Sequence, residues 1–269
     1  MTSAVLQRLL IALTSSIALL SCRGTSLGWD GSESARAEHE RHLDTYKREH
    51  QAALGSRIVA ELSEPELLKR LDQERVLWLG DRHTDIALHG MQRDLLAELR
   101  RRGRHLVLAL EAVGCEDDGE VARYLAGTID QPELRLRIRG RWPESWLDSS
   151  DVDHSAYRAL LADARTAGDP VFGIEPAPRL PLRERDAAIG ARVRDLIATH
   201  PDRLVVVLVG QAHLGGEDHA VAHSGSRGIL LVPDPGDTLQ RSAAGRPRRP
   251  VAAFLQSDTG VLFPATAVP

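Results

Sequence analysis

Three apolar runs in this 269-residue sequence end in side chains able to move protons or hold a ligand. The first, residues 76–79 within RVLWLGDRH, stops at Gly80 and is followed by Asp81 and His83. The second, LVLALE, ends at Glu111, and the third, VVVLVGQAH, ends at His213. A carboxylate and an imidazole two positions apart, just beyond a buried strand, can act as a metal-ligand pair or as a general acid/base pair. If the three strands lie parallel in one sheet, their polar ends share one rim. Open parallel sheets bind ligands at that rim.

The elements that must position these residues follow from periodicity. A capping box at Ser63 and Glu66 opens a short helix before the first run. After it, residues 85–102 read as an amphipathic helix with Leu88, Met91, Leu95, Leu96 and Leu99 buried and His89 and Gln92 on a neighbouring face. Residues 105–111 form the second strand, and residues 121–127 and 131–139 form two short helices covering the rim. A loop at 141–153 carries Trp142 and Trp146, which can wall an apolar pocket. Tyr157 lies on the apolar face of a helix at 154–167, and a strand at 170–174 ends in Glu175. A long helix at 182–199 carries Arg185 and Asp186 near its start, before the strand at 204–209. A strand at 228–232 and a hairpin pair at 251–255 and 261–263 complete the pattern, around a polar loop at 233–250. This alternation predicts an α/β fold, a mostly parallel sheet flanked by helices with a functional rim at the strand carboxyl ends.

The chain divides into three parts. Residues 1–22 read as a leader: Arg8 is its positive region, residues 9–20 its short apolar stretch, and Leu19, Leu20, Ser21, Cys22 resembles a bacterial lipobox with Cys22 as the lipidated residue. Residues 23–56 are a Gly/Ser tether followed by a charged helix, expected to be exposed or lightly docked. Its His39, His42 and His50 read as surface histidines. Residues 57–269 form the single α/β domain. With 42% apolar residues the core is ordinary, and a net charge of −4 excludes a nucleic-acid footprint. Two cysteines, Cys22 and Cys115, exclude a disulfide framework.

The set GDRH at residues 80–83, His89 and Gln92, LALE ending at Glu111, RYLAG at residues 123–127, the Trp-rich segment before Tyr157, and VGQAHL at residues 209–214 resembles the ChaN-like family. That family groups haem-binding or iron-regulated bacterial lipoproteins with Tiki metalloproteases and erythromycin esterases. The likeness covers about residues 57–232. Two departures stand out: Asp81 occupies a position where the family usually carries Glu, and Val113, Gly114, Cys115 and Glu116 replace an aromatic and a glutamine.

The resemblance implies a lipoprotein anchored through Cys22 in the bacterial envelope, at the outer membrane, binding haem or an iron compound for uptake. Tyr157, His83 or His213 would then be iron ligands and Trp142 and Trp146 cavity walls; a homodimer is compatible with it. The Tiki and esterase relatives imply the alternative of a metal-dependent hydrolase, in which His83, Glu111, His213 and Asp81 serve as catalytic and divalent-metal ligands. Metal would lower the pKa of its bound water to about 7. Without metal, His83 would take the proton itself. A third reading is a lipoprotein that keeps the fold, has no activity and binds a partner.

Overall fold

The computed structural model describes residues 33–139, 146–178, 180–233 and 253–265. Its strands are β1 Ile58–Ser63, β2 Val76–Asp81, β3 Leu106–Gly114, β4 Val171–Glu175, β5 Leu204–Gly210, β6 Ile229–Leu231, β7 Ala253–Ser257 and β8 Leu262–Ala265. They form one sheet in the order β1-β7-β8-β6-β2-β5-β3-β4. The block β6-β2-β5-β3-β4 is parallel throughout, whereas β7 runs antiparallel to both β1 and β8. The fold is the α/β architecture that the sequence predicts.

The helices are α1 Glu33–Ala53, α2 Glu64–Leu71, α3 Ile86–Arg101, α4 Asp118–Leu125, α5 Gln131–Arg139, α6 His154–Ala167, α7 Leu182–Thr199 and α8 Ala220–Ser224. β2, β3 and β5 are apolar without alternation because both of their faces are covered. On one face Leu77, Leu79, Leu108, Leu110 and Leu208 meet Leu95, Leu96 and Leu99 of α3 and Leu160 and Leu161 of α6. On the other, Trp78, Val107, Val205 and Val207 meet Ile189, Val193 and Leu196 of α7. Each such side chain contributes about 1.5–3 kcal/mol by leaving water. The two layers therefore hold the ends of the three central strands rigidly.

Local signals set the helix starts near the rim. Asp85 Oδ1 accepts the Leu88 N–H at 3.0 Å at the start of α3, and Asp153 Oδ1 accepts that of Ala156 at 3.2 Å at the start of α6. The capping box at Ser63 and Glu66 is present. Helix α1 differs from its sequence reading. Tyr46, His50 and Leu54 are buried, so one face of this charged helix, with the turn after it, is docked on the domain. The three residues recur every four positions, but two of them are polar, and a hydrophobic period is therefore hardly visible. Among the described residues no helix is long and apolar enough to cross a membrane. Cys22 and Trp142 lie outside the described residues.

Candidate active site at the strand ends

Strand β5 sits between β2 and β3, with Asp81 paired to Gly210 and Leu110 to Leu208. The three apolar runs thus end side by side, as the rim hypothesis requires. Beyond Leu110 the register between β3 and β4 shifts, and Glu111 lies at this irregularity, the type of kink that re-aims a side chain. Gly210 makes room for it. Its N–H donates to Glu111 Oε2 at 2.5 Å. A Cβ at Gly210 would stand 3.3 Å from Glu111 Oε2 and 3.4 Å from His83 Nε2. His83 and Glu111 consequently flank a strand end that carries no side chain.

Two similar groups border Glu111. In the first, His83 Nδ1 donates to Asp81 Oδ2 at 2.9 Å and Tyr157 donates its hydroxyl proton to the same oxygen. Asp81 Oδ1 accepts from His89 Nε2 at 2.7 Å, while His89 Nδ1 lies 3.0 Å from Asp153 Oδ2. Two carboxylate acceptors require two donors, so His89 is the imidazolium. In the second group, His213 Nδ1 lies 2.5 Å from Asp186 Oδ1, and Tyr46 donates to Asp186 Oδ2 at 2.7 Å. His213 Nε2 stands 3.6 Å from Glu111 Oε1. Arg185 braces the rear: its Nη2 donates to Glu111 Oε1 and its Nε to Glu175 Oε2 at 2.6 Å.

The electrostatics follow from these bonds. Burial opposes ionisation of Asp81, but hydrogen bonds from His83, His89 and Tyr157 outweigh it and hold its carboxyl well below the usual range. Burial likewise opposes the charge on Glu111, yet His213, Arg185 and His83 keep this carboxyl low as well. For His83, burial is outweighed by the Asp81 hydrogen bond and the Glu111 carboxylate, and its pKa rises. His83 is also the group open to solvent, with 34% of its side chain exposed against 1% for Asp81. The arrangement is a basic imidazole at an opening, with a carboxylate behind one nitrogen and, among the described residues, no hydrogen-bond partner at the other.

The structure brings His83, Glu111, His213 and Asp81 to one rim, as the sequence reading expects, but not as a metal shell. Among the described residues no three of His, Cys, Asp and Glu are gathered in a way that could hold a metal ion. Asp81 is filled by two histidines and a tyrosine, and Glu111 by Arg185 and the Gly210 N–H. The divalent-metal expectation finds no support among the described residues. Tyr157 is 2% exposed and its hydroxyl is committed to Asp81. Trp146 does wall the rim, with its ring 4.3 Å from that of His83.

Haem can be weighed against the same geometry. A cavity of about 20 Å³ beside His89, Gln92 and Tyr157 is water-sized. At the open rim His83 is the residue that could hold a haem iron, because metal-ligating histidines commonly give their other N–H to a carboxylate. Sequence reasoning assigned no role to Asp153, Asp186 or Tyr46. Asp153 was detectable as a helix cap before His154, whereas Tyr46 has no local signal.

Comparison with known proteins agrees with the sequence resemblance. Residues 67–181 match the family model described as haem-binding uptake, Tiki superfamily, ChaN. This segment is similar to that family. No curated protein matches the chain. Among solved structures, "Cofacial heme binding to ChaN of Campylobacter jejuni" is 12% identical with a TM-score of 0.46, covering 65% of this chain and 87% of that one. The type III effector HopBA1 is 18% identical with a TM-score of 0.49, covering 77% and 96% respectively. RRSP, a MARTX toxin effector domain from Vibrio vulnificus CMCP6, is 17% identical with a TM-score of 0.44, and this chain spans 40% of its length.

Proposed function

We propose that the rim is a hydrolytic site in which the Asp81–His83 pair activates water, within a lipoprotein held at the bacterial outer membrane through Cys22. One observation carries this reading: Asp81 holds His83 Nδ1 at 2.9 Å, so the lone pair of Nε2 is presented at the opening beside Glu111. Among the described residues the hydrogen-bond partners of the His83 ring are Asp81 and Tyr157, both at Nδ1, so a water at Nε2 is the group it would activate. His83 takes the proton from water as the oxygen attacks a carbonyl carbon, and Asp81 stabilises the resulting imidazolium; when the tetrahedral intermediate collapses, the C–O or C–N bond breaks and the imidazolium returns that proton to the leaving alcohol or amine. Glu111, kept ionised, orients the water and the imidazole. His213 Nε2 stands 3.6 Å from the other oxygen of Glu111, Oε1. The substrate class is a small ester or amide that fits against Trp146.

The test is hydrolysis of an ester and amide panel by the wild type and His83→Ala. Loss of about 10²–10⁴-fold in rate is expected for a general base. Unchanged hydrolysis of every responsive substrate in the variant defeats the reading.

A second reading, binding of haem or an iron compound for uptake, is favoured by the Trp146 ring against an exposed, carboxylate-backed imidazole and by the family match over residues 67–181. His83 would hold the iron that a bound haem supplies, with Trp146 packed beside it. Titration with haemin is expected to give a Soret band that His83→Ala abolishes. A chain that gives no such band does not carry haem at this rim.

A further inference from the structure

We propose that Tyr46 is a positioning residue of the rim, holding Asp186 and His213 as Tyr157 holds Asp81 and His83; its kinetic consequence rests on the hydrolytic reading above, its structural consequence does not. Tyr46 belongs to α1, 140 residues from Asp186 and 167 from His213 in sequence. Its hydroxyl donates to Asp186 Oδ2 at 2.7 Å, and its oxygen lies 2.8 Å from His213 Nδ1. Asp186 is wholly buried and its other oxygen lies 2.5 Å from the same Nδ1. The hydroxyl proton is spent on Asp186, so this three-membered set closes only with a proton on His213 Nδ1. With Nδ1 held in this way, Nε2 stands 3.6 Å from Glu111 Oε1.

The corresponding set across Glu111 has the same chemistry. Tyr157 donates to Asp81 Oδ2, and its oxygen lies 3.3 Å from His83 Nδ1. Each tyrosine comes from a helix outside the three central strands, and each is buried among partners that use its hydroxyl. Tyr46 is held in turn by its ring, stacked on that of His219 at 4.0 Å and 9°. One turn on, Glu49 binds Arg183 at 2.9 Å, and its other oxygen lies 3.5 Å from His219 Nε2. Packing alone needs only the ring. The hydroxyl supplies Asp186 with its second donor, and a buried acceptor deprived of its donor is costly.

The experiment compares the full-length chain with Tyr46→Phe, which keeps the stack on His219 and removes the hydroxyl. Ring nitrogen-15 shifts of His213 are expected to show a single Nδ1-protonated form in the wild type and a mixture in Tyr46→Phe. In hydrolysis, Tyr46→Phe is expected to lower kcat about tenfold with KM within about twofold, the pattern of a lost transition-state interaction. The control Glu49→Gln, which weakens the neighbouring contacts and leaves the three-membered set intact, keeps kcat within about twofold. If His213 keeps the single form in Tyr46→Phe, the proposal is overturned, whatever the rate does. A mixture in a chain whose wild type hydrolyses nothing upholds Tyr46 and removes the hydrolytic reading instead. Should Tyr46→Phe not fold, the wild type decides: a resolved Tyr46 hydroxyl proton with a cross-peak to the His213 ring is expected, and its absence overturns the proposal.

Discussion

His50 puts an uncharged imidazole where α1 meets the rim, and this placement gives the fold a measurable pH dependence. The side chain is 5% exposed and, among the described residues, neither ring nitrogen has a hydrogen-bond partner. Burial, then the charges of His219 and His213, lower its pKa from 6.5 to about 4. The unfolded chain therefore binds a proton here below about pH 6.5, and the native chain does not until about pH 4. Because the unfolded state binds more protons in that window, stability is fully present above it and is lost as pH falls through it. The gap of about 2.5 pKa units, at about 1.36 kcal/mol each, corresponds to about 3 kcal/mol once pH is below both values. That is a large share of an ordinary domain's stability of about 5–15 kcal/mol.

His50→Leu, of similar volume, removes the titration. Urea unfolding at pH 7.5 is expected to show the variant about 1 kcal/mol more stable, since an unpartnered polar group has left the interior. At pH 4.5 its advantage is expected to grow by about 2.5 kcal/mol. His83, His89 and Asp118 titrate in both proteins, so their contributions cancel in the difference. An advantage that stays constant between the two pH values refutes the reasoning.

Other predictions concern the rim itself. Asp81→Asn removes the main group that raises the pKa of His83, so the acid limb of kcat/KM should move to lower pH while the plateau falls; a limb that stays in place refutes the pairing. Arg185→Met leaves Glu111 and Glu175 buried without their shared cation, and a loss of about 3–5 kcal/mol is expected in urea unfolding. A loss below about 1 kcal/mol would show that other groups neutralise these carboxylates. Gly210→Ala places a methyl group 3.3–3.4 Å from Glu111 and His83 at a φ of −48°, which any residue adopts. It should keep a wild-type circular dichroism spectrum and lose hydrolysis by about a hundredfold, as misplaced reacting groups do. Wild-type turnover would mean that the space over Gly210 is not where chemistry occurs.

The sequence by itself determined the parallel α/β core, because strands covered on both faces must be apolar without interruption, as residues 76–79 and 204–209 are. It also determined that Asp81, His83, Glu111 and His213 meet, since residues at the ends of neighbouring parallel strands share a rim. What those residues do to one another was decided only by the tertiary structure. Whether a carboxylate is free to hold metal depends on who else donates to it, and Arg185, His89 and the Gly210 N–H reach Asp81 or Glu111 from separate elements. Tyr157 was visible as a buried helical residue, but its commitment to Asp81, 76 positions away, was not. Tyr46 was the least legible, because a single tyrosine in a charged helix carries no periodic signal. Its role depends on two partners brought to it by folding, from the start of α7 and the end of β5, at distances along the chain that no local pattern encodes.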